Sequence, residues 1–126
     1  MSQATTSLEA KALDSPEEVR NFADEMGGVE IVNVGGVTVG KGTFRPGWRW
    51  TQHVKPIAGT DSCQVRHIGY VLEGAMTIRM DDGSESTAKA GDAINIPPGH
   101  DAWVEGGDDC VVLDFGGLEG YAQQAG

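Results

Sequence analysis

Glycine interrupts the middle of this chain at intervals of about ten residues, and runs of strand-forming residues fill most of the gaps. The chain has 19 glycines in 126 residues, and several of them end turn-forming pairs such as Pro46-Gly47, Asp82-Gly83 and Pro98-Gly99. One intervening run, 67–72, reads His-Ile-Gly-Tyr-Val-Leu and is rich in β-branched and aromatic residues. This spacing predicts short strands joined by tight turns, and therefore a small closed β-barrel.

Alternation of apolar and polar residues places about nine strands along the chain. Gly35-Gly36 offers a hairpin turn between the first two of them. The predicted strands are 29–34, 37–44, 48–54, 63–72, 76–80, 86–88, 93–96, 102–105 and 110–115.

The N-terminal region has the pattern of a helix start at Ser15-Pro16-Glu17-Glu18, with a capping serine, a proline at the first helical position and two acids. Val19, Phe22 and Met26 share one face of a helix that would end at Gly27-Gly28. The chain then divides into an N-terminal arm with a short helix (1–28), a barrel (29–116) and a flexible tail (117–126).

The charge balance is strongly acidic, with 9 Lys and Arg against 19 Asp and Glu, giving a net charge of −10. Nucleic acids and anionic membranes require a basic face, so neither is expected as a partner; acidity also serves solubility. No apolar run is long enough for a membrane span or follows a basic signal-like start. Cys63 and Cys110 are therefore expected to be reduced thiols in a cytoplasmic protein.

Three spacings carry a family resemblance. Gly47 precedes His53 by five intervening residues, His67 precedes Gly74 by six, and Gly91 leads through five residues to Pro97-Pro98-Gly99. Over about residues 29–115 the chain resembles the cupin superfamily, in particular its small single-domain members. The resemblance implies a jelly-roll barrel of the double-stranded β-helix type.

The match to the family's metal-binding motif is altered. Lys55 stands where the family has a second histidine, His67 stands in the glutamate slot, and Ala102 occupies the last histidine slot, with His100 two residues earlier. The resemblance implies three ligands, His53, His67 and His100, and a divalent transition metal such as iron, zinc, nickel or manganese, since all accept imidazole.

Two further residues are weaker candidates at this site. Cys63 lies four residues before His67, roughly 13 Å along an extended strand, so shared ligation requires a bend; a buried inert thiol is the alternative. Asp101 could orient the neighbouring imidazole of His100 by accepting its N–H, or could cap the local backbone.

Two readings of the 48–54 strand remain open. Alternation puts Trp48 and Trp50 in the core and His53 in solvent, whereas the motif puts His53 in the lumen and both tryptophans on the outer face. The second reading predicts a covered outer face and hence a homodimer that includes Trp48 or Trp50.

Two classes of function follow. The resemblance implies a metal-dependent oxygenase, isomerase or decarboxylase acting on a small polar organic molecule, with Lys55, Tyr70 and Trp103 as substrate-binding candidates. The altered ligand set favours the alternative, a non-catalytic module that binds or senses a small molecule. The barrel alone does not choose between them.

Overall fold

The computed structural model describes residues 7–116, which form two antiparallel sheets. Three short helices accompany the strands: a 3-10 helix (Ala23–Glu25), α1 (Trp50–His53) and α2 (Lys55–Ala58). The strands are β1 (Glu18–Asn21), β2 (Gly27–Val34), β3 (Val37–Phe44), β4 (His67–Glu73), β5 (Ala75–Met80), β6 (Glu85–Lys89), β7 (Ala93–Ile96), β8 (His100–Glu105) and β9 (Cys110–Asp114).

The larger sheet has the order β1-β2-β3-β9-β4-β7, and the smaller has the order β6-β5-β8. Some neighbours in the sheets are distant in the chain, since β9 pairs with both β3 and β4. Side chains alternate between the two faces of each strand, so one face of each sheet lines the interior. The result is the predicted all-β jelly-roll barrel.

Two glycine positions show how local sequence sets this architecture. Gly35 and Gly36 both have positive φ angles and connect β2 to β3, which confirms the predicted hairpin. Gly69 lies in β4 where a Cβ atom would overlap the carbonyl oxygen of Leu113, so only glycine allows β4 and β9 to approach this closely.

The predicted helix beginning at Ser15 is wrong. Residues Glu18–Asn21 form β1, which pairs with β2 at the edge of the larger sheet, and only Ala23–Glu25 makes a single 3-10 turn. Pairing with an available sheet edge overrides the weak local preference for helix. The boundary predicted at residue 28 therefore falls inside β2, while the predicted tail (117–126) lies outside the described residues.

The predicted strand 48–54 is also wrong, because α1 occupies this position. Trp48 and Trp50 are each only 2% exposed within a single chain. Trp48 packs against Phe44 and Phe22, with ring centroids 4.7 and 5.5 Å away. The outer-face placement of these tryptophans is therefore incorrect, and the homodimer remains a prediction without that support.

Within residues 7–116, none of the helices combines the length and hydropathy needed to cross a bilayer.

Candidate metal centre

Three potential metal ligands converge inside the barrel. Cys63, His67 and His100 each place a ligand atom within 4.8 Å of the other two, and all three side chains are buried. Cys63 Sγ and His67 Nε2 are 3.7 Å apart. The two imidazole rings meet edge to face, with centroids 5.6 Å apart.

Backbone hydrogen bonds place the thiol in this cluster. Cys63 N donates to the carbonyl oxygen of His100 at 2.7 Å, and Gly99 N donates to that of Cys63 at 2.7 Å. This isolated bridge fastens Cys63 beside the start of β8. Because β4 begins only at His67, the intervening residues are not an extended strand, and the offset of roughly 13 Å expected for one does not arise.

The outer nitrogen of each imidazole is held by an acceptor. His67 Nδ1 lies 2.7 Å from Asp114 Oδ2, and His100 Nδ1 lies 2.8 Å from the carbonyl oxygen of Pro97. Carbonyl and carboxylate oxygens act as hydrogen-bond acceptors, so the Nδ1 atom of each ring must be the donor and carry a hydrogen. With Nδ1 engaged in this way, Nε2 is the nitrogen that each ring could offer to a metal, which is the arrangement found around metal-bound histidine. His67 Nε2 already lies within hydrogen-bond distance of the Cys63 thiol, at 3.7 Å.

Burial sets the protonation of His100 and Cys63. It lowers the pKa of His100 to about 4, so this imidazole is neutral at physiological pH, as a metal ligand must be. Burial also raises the pKa of the Cys63 thiol to about 11, with the Asp114 carboxylate adding to the rise. A metal would therefore have to displace a proton from Cys63 on binding.

The donor set fits a transition metal. A tetrahedral centre with bonds of about 2.0–2.3 Å holds its ligand atoms roughly 3.5 Å apart, close to the 3.7 Å between Cys63 Sγ and His67 Nε2. Three protein ligands would leave one position open for water or substrate.

His67 and His100 lie at the wall of a cavity between the two sheets, in which a water-sized sphere has about 50 Å³ of space. His67, His100 and Asp114 supply its polar edge. No lysine or arginine among the described residues lines it. Most of the wall is apolar and comes from both sheets, including Val29, Phe44, Met76, Ile94, Ile96 and Val112.

No family model matches the sequence, and no curated protein matches it. Solved structures do. The polyketide cyclase RemF from Streptomyces resistomycificus matches with a TM-score of 0.61 and 18% identity, over 88% of this chain and 80% of that one. An uncharacterised protein with a double-stranded β-helix domain from Klebsiella pneumoniae matches with a TM-score of 0.57 and 16% identity, over 90% of this chain and 87% of that one.

Oxalate decarboxylase from Lactobacillus farciminis matches with a TM-score of 0.59 and 14% identity, over 92% of this chain but 35% of that longer one. This chain has the cupin fold. At such low identities the likeness establishes the fold alone. The activity of each neighbour is not assigned to this chain.

The cupin barrel does not bring His53 to the cluster. His53 ends α1, where Arg49 N donates to its Nδ1 at 2.9 Å and Asp24 Oδ2 lies 3.9 Å from its Nε2. The family motif expects an extended strand here, and the helical turn redirects the ring. His100, by contrast, lines the cavity together with Ala102, as strand alternation predicts.

The substrate-binding candidates also lie away from the cavity. Lys55 begins α2 and makes an ion pair with Asp61 at 3.5 Å. Tyr70 is 41% exposed on β4. Trp103 lies beneath the guanidinium of Arg49, 4.4 Å from ring centroid to Cζ.

Asp101 does not orient His100, because adjacent residues on β8 face opposite ways. Its carboxylate instead accepts hydrogen bonds from Arg49 Nε at 3.0 Å and from Thr51 N at 3.2 Å. The carboxylate that orients an imidazole of the cluster is that of Asp114, which contacts His67. Sequence reasoning missed this residue. Its only signal in the sequence is a lone acid at the end of the apolar run Cys-Val-Val-Leu-Asp.

Proposed function

We propose that this cupin barrel binds one divalent transition metal per chain through Cys63, His67 and His100. The observation that carries the proposal is the commitment of both histidine Nδ1 atoms to acceptors, Asp114 and the Pro97 carbonyl. With Nδ1 engaged, Nε2 is the nitrogen that each ring could offer to a metal, and the buried thiol of Cys63 lies beside them. Histidines with a purely structural role seldom combine a fixed Nδ1 on two neighbouring rings with a thiol beside them.

We further propose that the lumen admits a small and largely apolar organic molecule, in place of the polar one that the family resemblance implied. The cavity has about 50 Å³ of water-accessible space and mainly hydrocarbon walls, so only a ligand or substrate group of a few heavy atoms fits. No lysine or arginine lines the described wall, so the proposed metal itself would be the positive charge that an anionic group meets there. A bound metal would act on such a molecule as a Lewis acid.

The chain's own residues would perform defined tasks in that chemistry. Asp114 would keep His67 in one tautomer and one ring orientation, and Pro97 would do the same for His100. The apolar wall would exclude bulk water and strengthen electrostatic interactions at the centre. Enzymes on the same fold, such as the polyketide cyclase RemF, support a catalytic function.

A second candidate is a non-catalytic module that binds or senses a small molecule. The depth of the site favours it, because Cys63, His67 and His100 are 1%, 8% and 3% exposed. A site this enclosed slows exchange with solvent, which suits long-lived binding.

Metal reconstitution tests the proposed centre. Chelator-treated protein is loaded separately with zinc, iron, nickel and manganese, and metal is counted by elemental analysis. We expect about one equivalent of at least one metal per chain, and less than about a tenth in a His67→Ala, His100→Ala double variant.

His53→Ala is the matched control, since it removes an equally buried histidine outside the cluster. It should keep about one equivalent. Wild-type protein that takes up none of the four metals would refute the proposal, and so would a His53 variant as deficient as the double variant.

A further inference from the structure

A second cavity lies between β6 and β7, on the outside of the inner cavity. It is a groove open to solvent, in which a water-sized sphere has about 360 Å³ of space. That volume is at the lower end of the range found for pockets that hold small organic ligands. The lining is mostly apolar and comes from both sheets: Ile78, Met80, Ala88, Ala93, Ile94, Ile96 and Pro97.

The groove exists because the two sheets do not join at this edge. β6 is the last strand of the smaller sheet, and β7 is the last strand of the larger one. Within residues 7–116 no strand pairing connects them, although only residues 90–92 separate them in the chain. Side chains rather than a ladder of backbone hydrogen bonds therefore close the barrel here, and side chains can change rotamer.

The groove and the inner cavity share a wall. Ile94 and Ile96 line both spaces, and Ile96 is the register partner of the proposed ligand His67. Pro97, whose carbonyl oxygen lies 2.8 Å from His100 Nδ1, also lines the groove. The groove thus adjoins the part of the wall that carries two of the three proposed ligands.

The two spaces differ in what they can hold. The inner cavity, with about 50 Å³, admits only a group of a few heavy atoms. A larger organic molecule must place its remaining atoms elsewhere, and the groove is the adjoining apolar space. Glu85 is the only charged side chain in the described lining of the groove. Its carboxylate would repel an anion, so the groove suits an uncharged apolar body.

We propose that the groove between β6 and β7 binds the apolar body of an elongated organic molecule, whose oxygen-bearing head group passes Ile94 and Ile96 to the proposed metal. This inference rests on the proposed metal centre and specifies the shape of its ligand or substrate. Ile94 and Ile96 form the gate between the two spaces. The body supplies most of the affinity, because each buried methylene strengthens binding about fourfold.

Ser86 allows the groove to be filled without a change in the inner cavity. Its exposed side chain lines the groove only, so Ser86→Trp places an indole there at little cost to folding. The next residue, Thr87, is also exposed but does not line the groove, and its hydroxyl lies 2.8 Å from that of Thr77. Thr87→Trp is the matched control, since it adds the same side chain to the other face of the strand.

The first experiment uses metal-free protein and so tests the groove separately from the metal centre. N-phenyl-1-naphthylamine, an uncharged apolar dye that fluoresces more strongly out of water, is titrated into wild-type, Ser86→Trp and Thr87→Trp proteins. We expect Ser86→Trp to bind the dye about tenfold more weakly, because the indole occupies the space that buries it. Thr87→Trp should stay within about twofold of wild type.

Equal dye affinities in the three proteins, or no binding by the wild type, would overturn the groove as a small-molecule site. Either result would favour an extended peptide along the two strand edges as its occupant.

The second experiment tests the path from the groove to the metal. Octan-1-ol is added to cobalt(II)-loaded protein, with zinc-loaded protein as the diamagnetic reference, and the relaxation of its protons is measured by NMR. The protons beside the hydroxyl group should relax fastest and those of the terminal methyl group slowest. The enhancement should be lost in Ser86→Trp and kept in Thr87→Trp.

Equal enhancement along the octan-1-ol chain would overturn the path past Ile94 and Ile96. Failure of wild-type protein to bind cobalt would instead refute the proposed centre, and the path with it, while the dye titration would still decide whether the groove binds an apolar molecule.

Discussion

Asp114 and His67 form a short side-chain contact at the proposed centre, at 2.7 Å between Oδ2 and Nδ1. The two residues are 47 positions apart, and the pairing of β4 with β9 brings them together. The carboxylate fixes the tautomer of His67 and makes its Nε2 a stronger donor to a metal.

Asp114→Ala should therefore weaken zinc binding by about 10- to 100-fold, as loss of such partners does elsewhere. Chelator competition measures the change. Asp109→Ala, at an exposed acid in the preceding turn, should leave the affinity unaltered. A wild-type affinity in Asp114→Ala would show that the carboxylate does not support the site.

His100 makes the stability of the metal-free protein depend on pH. Burial lowers its pKa from 6.5 to about 4, so the unfolded chain binds more protons than the folded protein between these values. The free energy of unfolding should therefore fall as the pH drops from about 6.5 toward 4, by at most about 1.4 kcal/mol per pH unit from this residue.

Denaturant unfolding at several pH values, with metal removed, measures this slope. His100→Gln has no titrating group at the position and should show a shallower fall over the same window. If the two slopes were the same, His100 would not be held neutral by burial.

At the residue scale, sequence reasoning named two of the three clustered residues, His67 and His100, because glycine and proline spacings mark their strands. It offered Cys63 only as a distant candidate, since an extended chain would separate it from His67. Asp114 could not be found, because contacts across a sheet depend on a register that no local pattern records.

Among the elements, strands bounded by turn residues were predicted well. Val37–Phe44 and Ala93–Ile96 match their predicted limits. The failure at α1 has a visible cause: Trp50, His53 and Val54 are the buried residues, and their spacing of three and four is helical. Trp48 and Trp50 are two residues apart, which suggested the apolar-polar alternation of a strand, but a single such pair is too short to establish that pattern.

The pairing of β4 with β9 depends on Gly69, because a Cβ there would overlap the Leu113 carbonyl. Gly69→Ala should lower the free energy of unfolding by about 2–3 kcal/mol through this overlap. Gly107→Ala, where a Cβ meets no atom within 4 Å, should change it by less than about 0.5 kcal/mol. Equal denaturation midpoints for the two variants would contradict the close approach of these strands.

At the scale of the whole molecule, the two sheets enclose a small apolar chamber with one polar edge formed by His67, His100 and Asp114. The spacing of turns was enough to predict that barrel, because glycine positions and alternation are local properties. The clustering of the proposed metal ligands was not, since His100 starts a different strand from His67 and only barrel closure brings it to Cys63 and His67. In the proposed centre, Cys63 rather than His53 completes the ligand set.

X-ray absorption spectroscopy at the zinc edge of the zinc-loaded protein tests that claim most directly. We predict one sulfur at about 2.3 Å and two imidazole nitrogens at about 2.0–2.1 Å, with a remaining light-atom ligand. In Cys63→Ser the sulfur contribution should vanish. A zinc shell made only of nitrogen and oxygen in the wild-type protein would contradict the Cys63, His67 and His100 centre.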